Sequence, residues 1–160
     1  MTYVPKRIDM TARLEVRDRI PLDGERRPRL RDELQLAELL LAAYKGSVDE
    51  EEETIEQARA EIRKTFDGEH GPFLEGCSYV IERSQQIVSA VLVTGWQGRP
   101  FVAYAMTAPE WKRRGLARAA MLNTMQDVLS SGEKLLSLVV TVKNKPAYSF
   151  YQDLGFVSGR

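Results

Sequence analysis

The stretch APEWKRRGLARAAM, residues 108–121, carries most of the information in this chain. It follows an apolar, β-like run at 101–107 and opens a helical pattern over 115–131 that Gly132 stops. Leu116, Ala119, Ala120, Leu122, Met125, Val128 and Leu129 fall on or near one face of that helix. A helix start offers free backbone N–H groups, and the helix dipole reinforces them, so it binds phosphate. Gly115 lets a ligand approach the backbone closely, and the small Ala117 extends that room into the next turn. Lys112, Arg113, Arg114 and Arg118 put positive charge at the same place. Alone, the stretch would equally suit a solvated, charged helix start.

A second stretch, NKPAYSFYQDLGF at 144–156, resolves that ambiguity. It follows an apolar run, 135–142, of the kind expected of a strand buried on both faces. It reads as a short helix, 145–153, ended by Gly155 and followed by the start of another strand. Together the two stretches resemble the GNAT superfamily of acetyl-CoA-dependent N-acetyltransferases. Residues 112–117 stand where that family has (Gln/Arg)-x-x-Gly-x-(Gly/Ala), with Lys112 in place of the usual first residue. Asn144, Ala147 and Tyr151, followed by Leu154-Gly155-Phe156, stand where it has Asn-x-x-Ala-x-x-x-Tyr and then Leu-Gly-Phe. One helix and one strand separate the two, as in the family.

The resemblance implies roles. Backbone N–H groups of Arg113, Arg114, Gly115, Leu116, Ala117 and Arg118, led in by Lys112, would cradle the pyrophosphate of coenzyme A. Met106 and Thr107, ending the preceding strand, would pair by backbone with the pantetheine arm. That strand and the one at 135–142 would splay, and the thioester would enter the gap between them. Asn144 would contact the pantetheine side and Ala147 would leave room for it. Tyr151 would give a proton to the departing thiolate, since a phenol is protonated at neutral pH and can hydrogen-bond to charge developing on sulfur. Acetyl-CoA is the implied co-substrate, and no metal is called for. The acceptor would be a small-molecule or peptide amine.

Working outward, residues 9–19 alternate loosely and could form an edge strand, and 20–31 reads as an irregular loop with Pro21, Gly24 and Pro28. Asp32 can cap a helix running to about residue 45. Ser47 or Asp49 can cap a second helix to about residue 66, whose first turn would hold the carboxylates of 50–53 at the positive end of its dipole. Residues 78–82 and 87–94 read as a hairpin turning at 84–86, with a further turn at 95–100. The element order is β-α-α-β-β-β-α-β-α-β. That order implies a mixed sheet with helices packed on it, and the resemblance implies an α/β (α+β) domain of GNAT type over residues 1–160, its sheet mostly antiparallel, with about four helices. After Phe156 only residues 157–160 remain, so the final strand is short or missing. A truncated chain would look the same. Otherwise the N-terminal segment takes its place, or a second subunit completes the sheet. An uncovered edge would favour a homodimer.

Composition narrows the classes. The 160 residues carry 23 basic and 23 acidic side chains, a net charge of zero. Residues 1–48 are net +2, 49–98 net −7 and 99–160 net +5, so an anionic ligand belongs in the last third. No apolar run is long enough for a membrane span. One cysteine, Cys77, excludes an internal disulfide, and with the single His70 it makes a zinc site of Cys/His type a poor fit. A cytoplasmic setting is the simplest reading.

The general base is not legible. The strand at 101–107 holds no carboxylate, Glu110 suits a solvated loop, and Glu69 and His70 sit in a chain break that could reach the acceptor side. A water relay is the default. Cys77 reads as core, for want of a recognisable histidine partner. The run 49–53 is either a solvated helix start or an attraction for a cationic acceptor. Tyr44, Phe66, Phe73, Tyr79 and Trp96 are either core or acceptor contacts. A non-catalytic acyl-CoA-binding module would share the same motifs. A nucleic-acid patch at 112–118 would want aromatic platforms, and only Trp111 is adjacent.

Overall fold

The computed structural model of the chain describes residues 6–47, 49–51 and 53–158. Seven strands form one sheet: β1 (Arg7–Arg13), β2 (Glu25–Arg26), β3 (Tyr79–Arg83), β4 (Gln86–Trp96), β5 (Arg99–Thr107), β6 (Leu135–Thr141) and β7 (Phe156–Ser158). Four α-helices accompany them: α1 (Glu33–Tyr44), α2 (Ile55–Asp67), α3 (Leu116–Ser130) and α4 (Lys145–Asp153). The strand order is β2-β3-β4-β5-β6-β1-β7, and every neighbouring pair is antiparallel except β5 and β6.

Alternation along β4 makes two cores. Ala90 and Leu92 face a layer built by α1 and α2 with Leu36, Leu40, Ala58 and Ile62. Val91 and Val93 face a layer built by α3 with Leu116, Ala120, Met121 and Met125, which also takes Met10 of β1, Leu136 and Leu138 of β6 and Phe156 of β7. Gln97 and Gly98 both take positive φ (52° and 76°), the twist a two-residue hairpin needs, so the ladder runs on to Trp96 opposite Arg99.

Four expectations change. The first strand ends at Arg13 and is not an edge: it lies between β6 and β7 and pairs with both. Residues 7–13 therefore fill the place beside β6 that the C-terminal residues do not, and β7 is short, as expected. The irregular segment that follows is strapped across α3: Asn123 accepts from the Ile20 N–H (2.8 Å) and donates to its carbonyl (2.9 Å), while Arg19, Arg27 and Tyr79 converge on Asp127.

Asp32 precedes α1 but does not cap it. Its carboxylate takes a bidentate pair from Arg26 (2.8 Å each) and the Arg29 N–H (2.7 Å) instead. Burial would raise its pKa, but those bonds and the charges of Arg26 and Arg31 outweigh burial and hold it below the usual range.

The second helix starts later than expected, at Ile55. Thr54 and Gln57 bond reciprocally across the first turn (3.2 and 2.8 Å), and that cap sets the start. The carboxylates of 49–53 consequently sit in the α1–α2 connection; Glu52 among them lies outside the described residues. Finally, β6 is packed on one face only. Leu136, Leu138 and Val140 are buried, whereas Leu135 and Val139 are 40% and 37% exposed, because α1 packs on β4 and β5 and leaves this half of the sheet open.

Candidate functional site

The parallel strands β5 and β6 bring the two informative stretches to one end of the sheet. Each strand runs into its motif, so both motifs lie beyond the strands' C-terminal ends. The pair is in register only at Phe101 opposite Ser137. Past that point no further pair of residues is in register. A bulge helps: Leu92 faces Tyr104 and Val93 faces Val102, so Ala103 is an extra residue that bends β5. The Ala108 N–H donates to the Val88 carbonyl (2.8 Å). By the alternation of an antiparallel ladder, the backbone of Met106 then faces β4, while Ala105 and Thr107 turn their N–H and C=O groups to the gap. The Met106 side chain is core, and the Thr107 hydroxyl lies 2.9 Å from that of Ser89.

A 3-10 turn, Pro109–Trp111, leads from β5 into the basic loop. Arg113 and Gly115 take positive φ (65° and 80°), which turns the chain into α3. The first bond of the helix is Ala119 N–H to Gly115 C=O (3.0 Å). The N–H groups of Arg113, Gly115, Leu116, Ala117 and Arg118 donate to no described group, while that of Arg114 closes the turn over 112–113, so the free donors gather at a helix N-terminus. Nothing lies within 4 Å of where a Gly115 side chain would begin. Lys112, Arg113, Arg114 and Arg118 are exposed and make no ion pair among the described residues, and the Arg114 guanidinium stacks 4.6 Å from the Trp111 ring centroid. The Leu116 side chain belongs to the core, so only its backbone is left to the loop, and Ala117 is half-buried.

On the other side of the gap, Asn144 caps α4: its Oδ1 accepts the Ala147 N–H (3.3 Å) and its Nδ2 donates to Asp49 Oδ2 (3.0 Å). Asp49 also accepts from the Thr141 hydroxyl at the end of β6. Ala147 is half-buried. Two turns along α4, the Tyr151 ring packs edge-on against Phe150 and Phe156 (5.3 and 5.9 Å between centroids). Its hydroxyl bonds to no described group. Burial, then the neighbouring Tyr44 and Asp49, push its pKa above the ordinary phenol range, so it stays protonated.

Tyr44, at the end of α1, and Tyr104, beside the bulge, are each pushed up to about 12, chiefly by burial. Glu53 is pushed up to about 7 by a hydrogen bond with Glu51, by burial and by the charges of Glu51 and Glu61. One of its carboxylate oxygens is buried without a partner among the described residues. His70 lies 3.7 Å from Glu61, while Glu69 and Glu110 are exposed. Cys77 is buried in the core and its thiol is pushed up by burial, the opposite of activation. Tyr79 belongs to the strap over α3, Phe66 and Phe73 pack on each other (4.7 Å), and Trp96 stands at the far end of the sheet. A cavity of about 300 Å³ at that far end, bordered by Thr11, Trp96 and Phe101, is remote from both motifs. No group of residues able to hold a metal occurs among the described residues. No helix there is long and apolar enough to cross a membrane.

Sequence grouped Asp49 and Glu53 as members of an acidic run that could attract a cationic acceptor, but it did not single out Tyr104. The fold brings Tyr104 within reach of the charges of Glu53 and Glu61, and Asp49 within reach of Tyr44 and Tyr151, and no local pattern encodes that.

Solved structures share this architecture at low identity. A GNAT-family protein of Novosphingobium aromaticivorans matches 97% of this chain over 61% of its own, with TM-score 0.64 and 16% identity. The ribosomal-protein-S18-alanine N-acetyltransferase of Escherichia coli matches 85% over 78% (TM-score 0.65, 15% identity). A PaiA N-acetyltransferase of Thermoplasma acidophilum, solved with coenzyme A, matches 83% over 88% (TM-score 0.64, 17% identity). The chain spans only 48–61% of the length of three of the matching structures. No curated protein matches it by sequence. At such identities the structures speak for the fold alone, but a family model also matches residues 34–156, which hold both motifs and the gap between them: the chain belongs to the acetyltransferase (GNAT) family.

Proposed function

We propose that this chain transfers an acetyl group from acetyl-CoA to a primary amine by direct attack in a ternary complex. The observation that carries the reading is the cluster of free N–H groups between Arg113 and Arg118, at the start of α3 and beyond the C-terminal end of β5, where β5 is no longer in register with β6. Free donors, a helix dipole and four exposed cations fit a pyrophosphate, and the open space at Gly115 lets it come close. Acetyl-CoA supplies the thioester carbonyl: the C–N bond forms, the C–S bond breaks, the sulfur keeps the bonding pair and gains a proton, and the amine loses one.

The chain's residues divide that work. Ala105 and Thr107 offer a strand edge to the pantetheine amides, with Met106 holding that edge against β4. Asn144 and Ala147 line the opposite side of the gap. Tyr151 donates the proton to sulfur and recovers it from solvent. Glu53, poised near neutrality, and water lead the amine's proton away. The carboxylates around the α1–α2 connection suit an acceptor that arrives as a cation, whether a small molecule or a peptide.

Thiol release from acetyl-CoA, measured across an amine panel, tests the reading. Tyr151→Phe should lower kcat by about 100-fold while leaving the dissociation constant of coenzyme A unchanged. Undiminished turnover removes the tyrosine from the mechanism. Coenzyme A binding without thiol release from any amine would make the chain an acyl-CoA-binding module instead.

A further inference from the structure

The α1–α2 connection forms one wall of the proposed acceptor side, yet much of what shapes it is local. The Ser47 N–H and hydroxyl bond to the Tyr44 carbonyl (3.0 and 2.8 Å), the Gly46 N–H to Glu50 (3.1 Å) and the Asp49 N–H to Ser47 (3.1 Å). Its carboxylates at Glu50 and Glu51 are exposed, and they would repel one another in any tight coil. Asp49 reaches elsewhere. Its Oδ1 accepts from the Thr141 hydroxyl and its Oδ2 from Asn144 Nδ2, residues 92 and 95 positions away, at the end of β6 and the start of α4.

We propose that Asp49 is a positioning residue that latches the α1–α2 connection, and with it the acceptor wall, onto the strand end and helix start that border the acetyl-CoA gap. The geometry is reciprocal. With Nδ2 committed to Asp49, the Asn144 amide can present only its oxygen to the Ala147 N–H, so one carboxylate fixes both the connection and the cap of α4. The charge also lies at the N-terminus of α4, where the helix dipole favours it. Through α4 the latch bears on Tyr151, whose phenol already feels the Asp49 charge. The catalytic consequence rests on the acetyltransferase reading; the latch itself does not.

The test separates the two. Asp49→Asn still accepts from Thr141 but sets one amide N–H₂ against another at Asn144. Hydrogen exchange in the unliganded protein should then quicken about tenfold for the amides of 45–47 and 49–51 and for Ala147, with β3 and β4 unaffected. Thr141→Val, which leaves the charge in place, should move the same amides less. In the Asp49→Asn/Asn144→Asp pair the donor and acceptor trade places, and protection should return. Unchanged exchange in Asp49→Asn, or no return in the pair, overturns the latch. In turnover, Asp49→Asn should raise KM for the amine about tenfold, and by more than it raises KM for acetyl-CoA, whose gap Asn144 borders. If exchange quickens and the amine KM stays, Asp49 does not position the acceptor wall. If the wild-type chain acetylates no amine, the acetyltransferase reading fails while the exchange result still decides the latch.

Discussion

Gly115 stands at φ 80° with open space beside its Cα, so a methyl group there would clash with nothing in the folded chain. The cost of Gly115→Ala is then backbone strain alone, about 1 kcal/mol of stability. If the loop binds pyrophosphate, that methyl enters the ligand's space. Coenzyme A affinity, read by calorimetry, should fall by well more than the tenfold that 1.4 kcal/mol represents. An affinity loss no larger than the stability loss from urea unfolding would mean that the ligand does not touch this turn. Residues whose role is local were legible in this way: Gly115 by its turn, Asn144 by its place before a helix. Even there sequence left the means open, since the Asn144 side chain is spent on a cap and on Asp49. Asp49 itself was legible only as one of a run of acids, because its partners lie 92 and 95 positions along the chain.

Elements were legible where hydrophobic period and breakers agreed. The hairpin strands, α3 and α4 fall within a few residues of expectation, each ended by a glycine or a tight turn. The second helix was not, because a run of acids before it mimics a helix start, while the reciprocal Thr54–Gln57 cap sets the true one. What holds the two N-terminal helices together is also non-local. Glu33 of α1 takes hydrogen bonds from Arg59 (3.0 Å) and Arg63 (2.9 and 3.0 Å) of α2. The Arg63 bonds first, then Arg59, hold its carboxyl below the ordinary value of 4.5 against an opposing effect of burial. A carboxyl lowered in the folded state stabilises above its unfolded pKa, and that contribution is lost as pH falls through the folded value. Glu33→Gln should therefore be less stable than wild type at pH 7, and the gap should close as pH drops below about 4. Urea midpoints measured across that range check it; a gap that persists at low pH would assign the effect to packing.

At the scale of the whole molecule, β1 is the piece that sequence placed at the rim and the fold places inside. Over its true span the alternation is strict, Ile8, Met10 and Ala12 inward against Arg7, Asp9, Thr11 and Arg13, because one face alone is packed; it looks loose over 9–19 only because that span runs on into the irregular segment. Once it lies between β6 and β7, the open position that favoured a second subunit is filled from within, and the sheet's outer strands are the short β2 and β7. The placement makes residues far apart in sequence depend on one strand. Met10 touches the core shared by β6, β7, α3 and α4, so Met10→Ala should cost about 2–5 kcal/mol, a large share of the 5–15 kcal/mol typical of a domain. Because β7 pairs with β1 from Met10 to Ala12, its amides should lose protection from exchange before those of β4, whose neighbours are β3 and β5. Equal loss across β4 and β7 would mean that the variant unfolds globally and that β1 is not a separate seam. Selective loss at β7 would identify residues 7–13 as the strand on which the C-terminal edge of the sheet hangs.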